Sequence, residues 1–206
     1  MIPRTKTTGP EPWLRALALA AILLLVQAAG DPARQFLRFS RDGLAAGEWW
    51  RLLGAHFTHL GWTHTVLNVL GVLLCCALAP RLFNRYFWPR LTCLALGVGL
   101  LLWWLSPGVS SYVGLSGVLY GLFSLGLFSQ ALRGDRPAWL ALAAIAFWVL
   151  WQWLAAPLAS EEALIGGRIV AISHVYGFCL GLLMAVAQAG WSRLTQERKK
   201  YLDKLS

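Results

Sequence analysis

The chain's hydrophobic positions fall into six long blocks, parted by short connections that hold most of the charge. The blocks run over about 13–29, 62–79, 88–105, 114–132, 137–156 and 169–189. Each comes close to the roughly 20 apolar residues needed to cross about 30 Å of hydrocarbon. Backbone groups in lipid must find their partners within the segment, so the blocks predict helices and not strands. The pattern therefore predicts an all-α polytopic membrane protein, a six-transmembrane-helix bundle forming a single domain over 1–206. With 58% of its 206 residues apolar, the chain leaves no room for a separate soluble domain.

The longest connection, 30–60, carries much of "RDGLAAGEWWRLLGAHFTHLGW", an amphipathic stretch with Trp49, Trp50, Phe57 and Trp62. Such a segment is expected to lie in the membrane interface with its aromatics at headgroup depth. The other connections are short: "APRLFNRYFWPR" and "LRGDRPAW" are expected to turn on the inside, "SPGVSS" and "APLASEEALIGGR" on the outside. Many of the twelve Trp residues fall near block ends, as an aromatic belt predicts. The first block, followed by "QAAGDPA", has the outline of a cleavable signal peptide. Its removal would leave an odd number of spans, so a retained anchor is the expectation.

A net charge of +9 would suggest nucleic acid in a soluble protein, but its distribution points elsewhere. Let the connections alternate, starting with the N-terminus inside. The inside set then holds Arg4, Lys6, Arg15, Arg81, Arg85, Arg90, Arg133, Arg136, Arg193, Arg198, Lys199, Lys200 and Lys204. That is thirteen of eighteen basic residues, leaving Arg34, Arg38, Arg41, Arg51 and Arg168 outside. This is the positive-inside asymmetry, and it predicts both termini in the cytoplasm, with no nucleic-acid partner. Cys75, Cys76, Cys93 and Cys179 all fall within blocks, so apolar packing is expected of them and no disulfide framework.

Polar side chains within a membrane are expensive, which makes the few present candidates for function: Ser116, His174, His64 and Asn68, with His56 and His59 just ahead. His64 and Asn68 are four apart and share a helix face. They are either a structural pair or two donors aimed at one point. Ser116 stands near the N-terminal end of its helix, where unpaired N–H groups suit a developing oxyanion. It is flanked by Gly114 and Gly117, and small-residue packing motifs of this kind are common in membrane helices. His174 sits at a similar depth at the start of the sixth block, followed by Gly177 and Gly181, with Tyr120 placed to stack on its ring. A metal site at His56, His59 and His64 is the rival chemistry. It lacks the glutamate of a zincin helix, and Glu48 is the one carboxylate nearby.

Taken together, "WWR", "HLGWTHTVLN", "GLSGVLYG" and "SHVYGFCLG", in that order along nearly the whole chain, resemble the motif set of the rhomboid family of intramembrane serine proteases. The wording "GEWWRLL" and "YVGLSGVL" is similar to the rhombosortase subgroup. The resemblance implies a six-helix rhomboid-like bundle with Ser116 as nucleophile and His174 as general base. His64 and Asn68 become oxyanion donors beside the Ser116 N–H, with Gly114 and Tyr120 lining the substrate site. No carboxylate fits a third triad position, so the imidazole is expected to be held by packing against Tyr120 and the Gly177 groove. No metal and no cofactor are implied. The implied partners are the lipid bilayer and membrane-anchored protein substrates. For the subgroup, these substrates carry a C-terminal Gly-Gly, hydrophobic-helix, basic-end sorting tail in Gram-negative bacteria, cut on the periplasmic side of the inner membrane. Phe147, Trp148 and Trp151 are expected to flank a lateral gate. The rival function is a catalytically inactive relative that binds membrane helices. The oligomeric state stays open.

Overall fold

The computed structural model describes residues 9–203. Arg4, Lys6 and Lys204, counted above among the inside basic residues, lie outside the described residues, as do the side chains of Arg198, Lys199 and Lys200. Among the described residues, four helices are long and apolar enough to cross a membrane: α1 (Glu11–Ala28), α6 (Phe87–Leu105), α8 (Arg136–Leu154) and α10 (Ala171–Leu202). A shorter apolar helix, α5 (Trp62–Leu78), joins them. The protein is thus an all-α multi-pass membrane protein, apart from one short strand pairing.

At the centre stands α7 (Ser116–Ala131), whose residues are buried almost throughout, Val118, Leu122, Phe123, Leu125 and Leu127 among them. A helix that is apolar all round belongs inside. Its 16 residues are shorter than a lipid-facing span needs, and it is jacketed by α5, α6, α8 and α10. The tightest pairing is with α10. A methyl group on Gly117 would meet the Ser173 carbonyl at 2.9 Å, and one on Gly121 would meet the Gly177 carbonyl at 2.8 Å. Contacts advance in the same direction along both helices, so α7 and α10 run parallel. The glycines bring their starts, and with them Ser116 and His174, side by side.

The first connection is more built than its amphipathic pattern suggests. It holds α2 (Gly30–Leu37), α3 (Arg41–Ala45) and α4 (Arg51–Gly54), and a strand β1 (Phe39–Ser40) that pairs antiparallel with β2 (Ser111–Tyr112). Phe39, Leu44, Leu52 and Ala55 join Val98, Leu102 and Tyr112 in a second apolar core. Arg41 fastens this unit to the end of α6. Its guanidinium donates to the carbonyls of Leu102 and Trp103 in the last turn of α6 and to those of Ser106 and Val109 just beyond it. Trp49, Trp50 and Trp62 do remain exposed. The segment packs into the bundle instead of merely lying across it.

Other expectations need adjustment. "APLASEEALIGGR" is not a plain turn but contains α9 (Ala159–Ile165). The last helix continues well past the hydrophobic block, because a helix boundary is set by backbone bonding and the block boundary by solvent. Cys75 and Cys76 pack in the core as expected, whereas Cys93 and Cys179 face outward.

Candidate active site

Ser116 is the first residue of α7. The first bond of that helix runs from Leu119 N to Leu115 O at 2.9 Å, so the N–H groups of Ser116, Gly117 and Val118 precede the ladder. The approach to it is pinned. Gly114 N donates to Ala55 O (2.9 Å), Leu115 N to His59 Nε2 (3.4 Å), and the Tyr112 hydroxyl to Gly114 O (2.7 Å). Gly114 has φ +118°, a conformation that side chains rarely adopt, and a Cβ there would come within 2.8 Å of His64 Cε1.

Ser116 Oγ and His174 Nε2 are 2.9 Å apart. The Tyr120 ring lies one turn along α7, its centroid 4.6 Å from that of the His174 ring and tilted 46° to it instead of stacked on it. Both sit on a cavity of about 530 Å³ that is also lined by His64, Asn68, Trp148 and Gln152. His64 Nδ1 accepts from Leu60 N (3.4 Å), which leaves its Nε2–H directed elsewhere. Asn68 donates to His64 O (2.8 Å), and its own carbonyl oxygen is buried without a partner among the described residues. A hydroxyl bonded to an imidazole, beside unspent N–H donors at a helix start, can carry out acyl transfer.

The expectation that packing alone holds the imidazole is corrected. His174 Nδ1 bonds Gln152 Oε1 at 2.8 Å, and Gln152 Nε2 donates to Glu161 Oε2 at 3.2 Å. His174 is 5% exposed and Gln152 4%, so the pair is buried. Gln152 was legible in principle: it is a lone amide in the apolar run "AFWVLWQWL", where any polar group calls for a reason. Glu48, the carboxylate nearest the loop histidines in sequence, is instead paired with Arg51.

The other histidines take structural positions. His56 is fully buried with its ring edge-on to Tyr112, and burial holds its pKa down at about 4. His59, held at about 3 by burial and by its neighbours His64 and His56, caps the approach to α7. Among the described residues no group of three His, Cys, Asp or Glu side chains is placed to hold a metal. Of the three α8 aromatics expected to flank a gate, Trp148 lines the cavity, while Phe147 (66% exposed) and Trp151 (46%) face outward.

A multi-pass membrane protein with a serine hydroxyl and an imidazole joined in a cavity near one end of its bundle has the make-up of an intramembrane hydrolase. Comparison with known proteins gives the family. The profile of the Rhomboid domain matches residues 46–190, and the chain belongs to the rhomboid family. It is 30% identical over 169 residues to rhomboid protease GlpG of Yersinia enterocolitica, covering 80% of this chain and 58% of that one. GlpG of Serratia proteamaculans is 28% identical over 176 residues, covering 84% and 60%. A Bacillus subtilis (strain 168) relative, YdcA, is 28% identical over 151 residues, covering 69% of each. The chain is thus a homologue of rhomboid serine proteases, and it spans about 60% of the length of the GlpG relatives.

Proposed function

We propose that the protein is an intramembrane serine protease working through a Ser116–His174 dyad. The observation that carries this is the 2.9 Å contact between Ser116 Oγ and His174 Nε2 at the cavity. His174 takes the serine proton as the hydroxyl attacks a peptide carbonyl, then passes it to the leaving amine. His64 Nε2–H, Asn68 and the Ser116 N–H stabilise the oxyanion. The domain comprises six spans over 1–206 in a bacterial inner membrane, with both termini cytoplasmic and the serine towards the periplasm, where hydrolytic water is at hand.

The substrates are transmembrane or C-terminal anchor segments of exported proteins, with a Gly-Gly sorting tail as the specific form. Glycine next to the scissile bond lets a helix top unwind so that its carbonyl reaches the serine. The substrate helix enters sideways between α5 and α8, past Leu67 and Trp148, which line the cavity from those two helices.

The test is deletion in the host, complemented with wild-type or Ser116→Ala protein. Wild type should release tail-bearing exported proteins in shortened form and react with a fluorophosphonate at Ser116. The alanine variant should do neither at unchanged thermal stability. Full processing by the alanine variant sinks the protease reading. Unchanged tail processing in the deletion sinks the tail specificity alone.

A further inference from the structure

The bond network behind His174 has a direction, and that direction originates outside the dyad. Glu161, as a carboxylate, can only accept. The Gln152 amide must therefore turn its Nε2 towards Glu161 (3.2 Å), which leaves Oε1 facing His174 Nδ1 (2.8 Å). The opposite amide orientation would set two acceptors against each other at the α9 side. An oxygen at Nδ1 requires that nitrogen to carry the proton. The ring's other nitrogen is then bare, and it faces Ser116 Oγ at 2.9 Å. Three contacts thus convert a negative charge on α9 into the one imidazole tautomer that can accept the serine proton.

We propose that Gln152 and Glu161 form a positioning relay that fixes the tautomer and ring plane of His174, Gln152 directly and Glu161 through Gln152. The inference rests on the dyad reading for its kinetic consequence, though not for its structural one. Placing an amide between carboxylate and imidazole has a chemical logic. A carboxylate against the ring would lose solvation in a buried site, whereas a glutamine carries the polarity inward from a charge at the cavity rim. Glu161 is only partly buried, and the amide and imidazole are buried. Helix α9 therefore contributes more than a turn between two spans.

Three variants of the full chain test the relay in detergent. Gln152→Leu removes the bond at similar volume. Glu161→Lys reverses the relay: a donor at 161 draws Oε1 towards itself and presents Nε2–H to Nδ1, which moves the ring proton to the nitrogen facing Ser116. The exchange Gln152→Glu/Glu161→Gln restores an acceptor at Nδ1. The first readout needs no turnover: ¹⁵N chemical shifts of His174, assigned by comparison with His174→Ala. These should show the Nδ1–H tautomer in wild type and in the exchange, and Nε2–H in Glu161→Lys. The second readout is kcat on a helical substrate. It should fall by about 10²–10⁴-fold in Glu161→Lys and Gln152→Leu, the scale of a misplaced general base, with a much smaller change in KM. The exchange should keep most of it. An Nδ1–H tautomer persisting in Glu161→Lys, or wild-type kcat in Gln152→Leu, overturns the relay. Should Glu161→Lys fail to fold, equal rates for Gln152→Leu and the exchange overturn it as well. If Ser116→Ala still cleaves, it is the protease reading that fails, and the tautomers still judge the relay.

Discussion

Gly114 shows how much of the site one residue can hold. Its φ of +118° and the 2.8 Å that a methyl group would leave to His64 Cε1 are independent obstacles to any side chain. Gly114→Ala should cost about 1–3 kcal/mol from backbone strain and push the His64 ring out of the cavity. Thermal unfolding and cleavage measured together check this. A variant of normal stability and rate would show that neither constraint matters. His56 makes a different prediction, one about pH. Its pKa is about 4 in the folded protein against 6.5 for a free imidazole, so the unfolded chain binds the proton more readily. Stability is therefore intact above pH 6.5 and declines as pH falls from 6.5 towards 4, by about 3 kcal/mol in all from this residue. His56→Gln should flatten that decline relative to wild type in thermal melts between pH 7 and 4. A parallel pair of curves would contradict it.

Among the elements, what the sequence disclosed and what it withheld divide along physical lines. The six apolar blocks correspond to α1, α5, α6, α7, α8 and α10 within a few residues at most ends, because lipid-facing and core-facing helices alike must be apolar over their length. The placing of Ser116 and His174 at similar depth followed from the same register, and the structure sets them in hydrogen-bond contact. By contrast, the packing of α2 to α4 depends on long-range partners such as Arg41 on the end of α6, which no local pattern reveals. The partners of Gln152 were hidden for a related reason: they lie on α9 and α10, nine and twenty-two residues away. The α7–α10 seam offers the element-scale test. The Gly117 carbonyl of α7 occupies the space beside Gly177, whereas Gly190, farther along the same helix, has open space. Gly177→Val should destabilise by about 1–3 kcal/mol or more by overpacking and abolish labelling of Ser116 by pulling it from His174. Gly190→Val should do neither. Equal behaviour of the two variants would mean that the seam does not set the site.

At the scale of the whole molecule, the cavity's position poses a problem of access. A small probe can arrive from water, but a membrane helix must come through the side of the bundle. Helix α8 packs against α7 and α10, while α9 leans on α5. The α5 and α8 flanks of the cavity are thus each packed on α7, with the short α9 lying against α5. Leu67 on α5 and Trp148 on α8 both line it. If substrate helices pass between these flanks, tying them together should separate two activities that share one serine. The experiment starts from a chain in which the exposed Cys93 and Cys179 are replaced by serine, since these would react first. Leu67→Cys and Trp148→Cys are then introduced and bridged with a bifunctional maleimide. The bridged protein should still be labelled at Ser116 by a small fluorophosphonate and should lose cleavage of a helical substrate. Each single cysteine, carrying the same reagent at one end, should cleave normally. Loss of both activities would mean that the bridge distorts the dyad. Full cleavage through the bridge would place the substrate's route elsewhere, over the rim formed by α9.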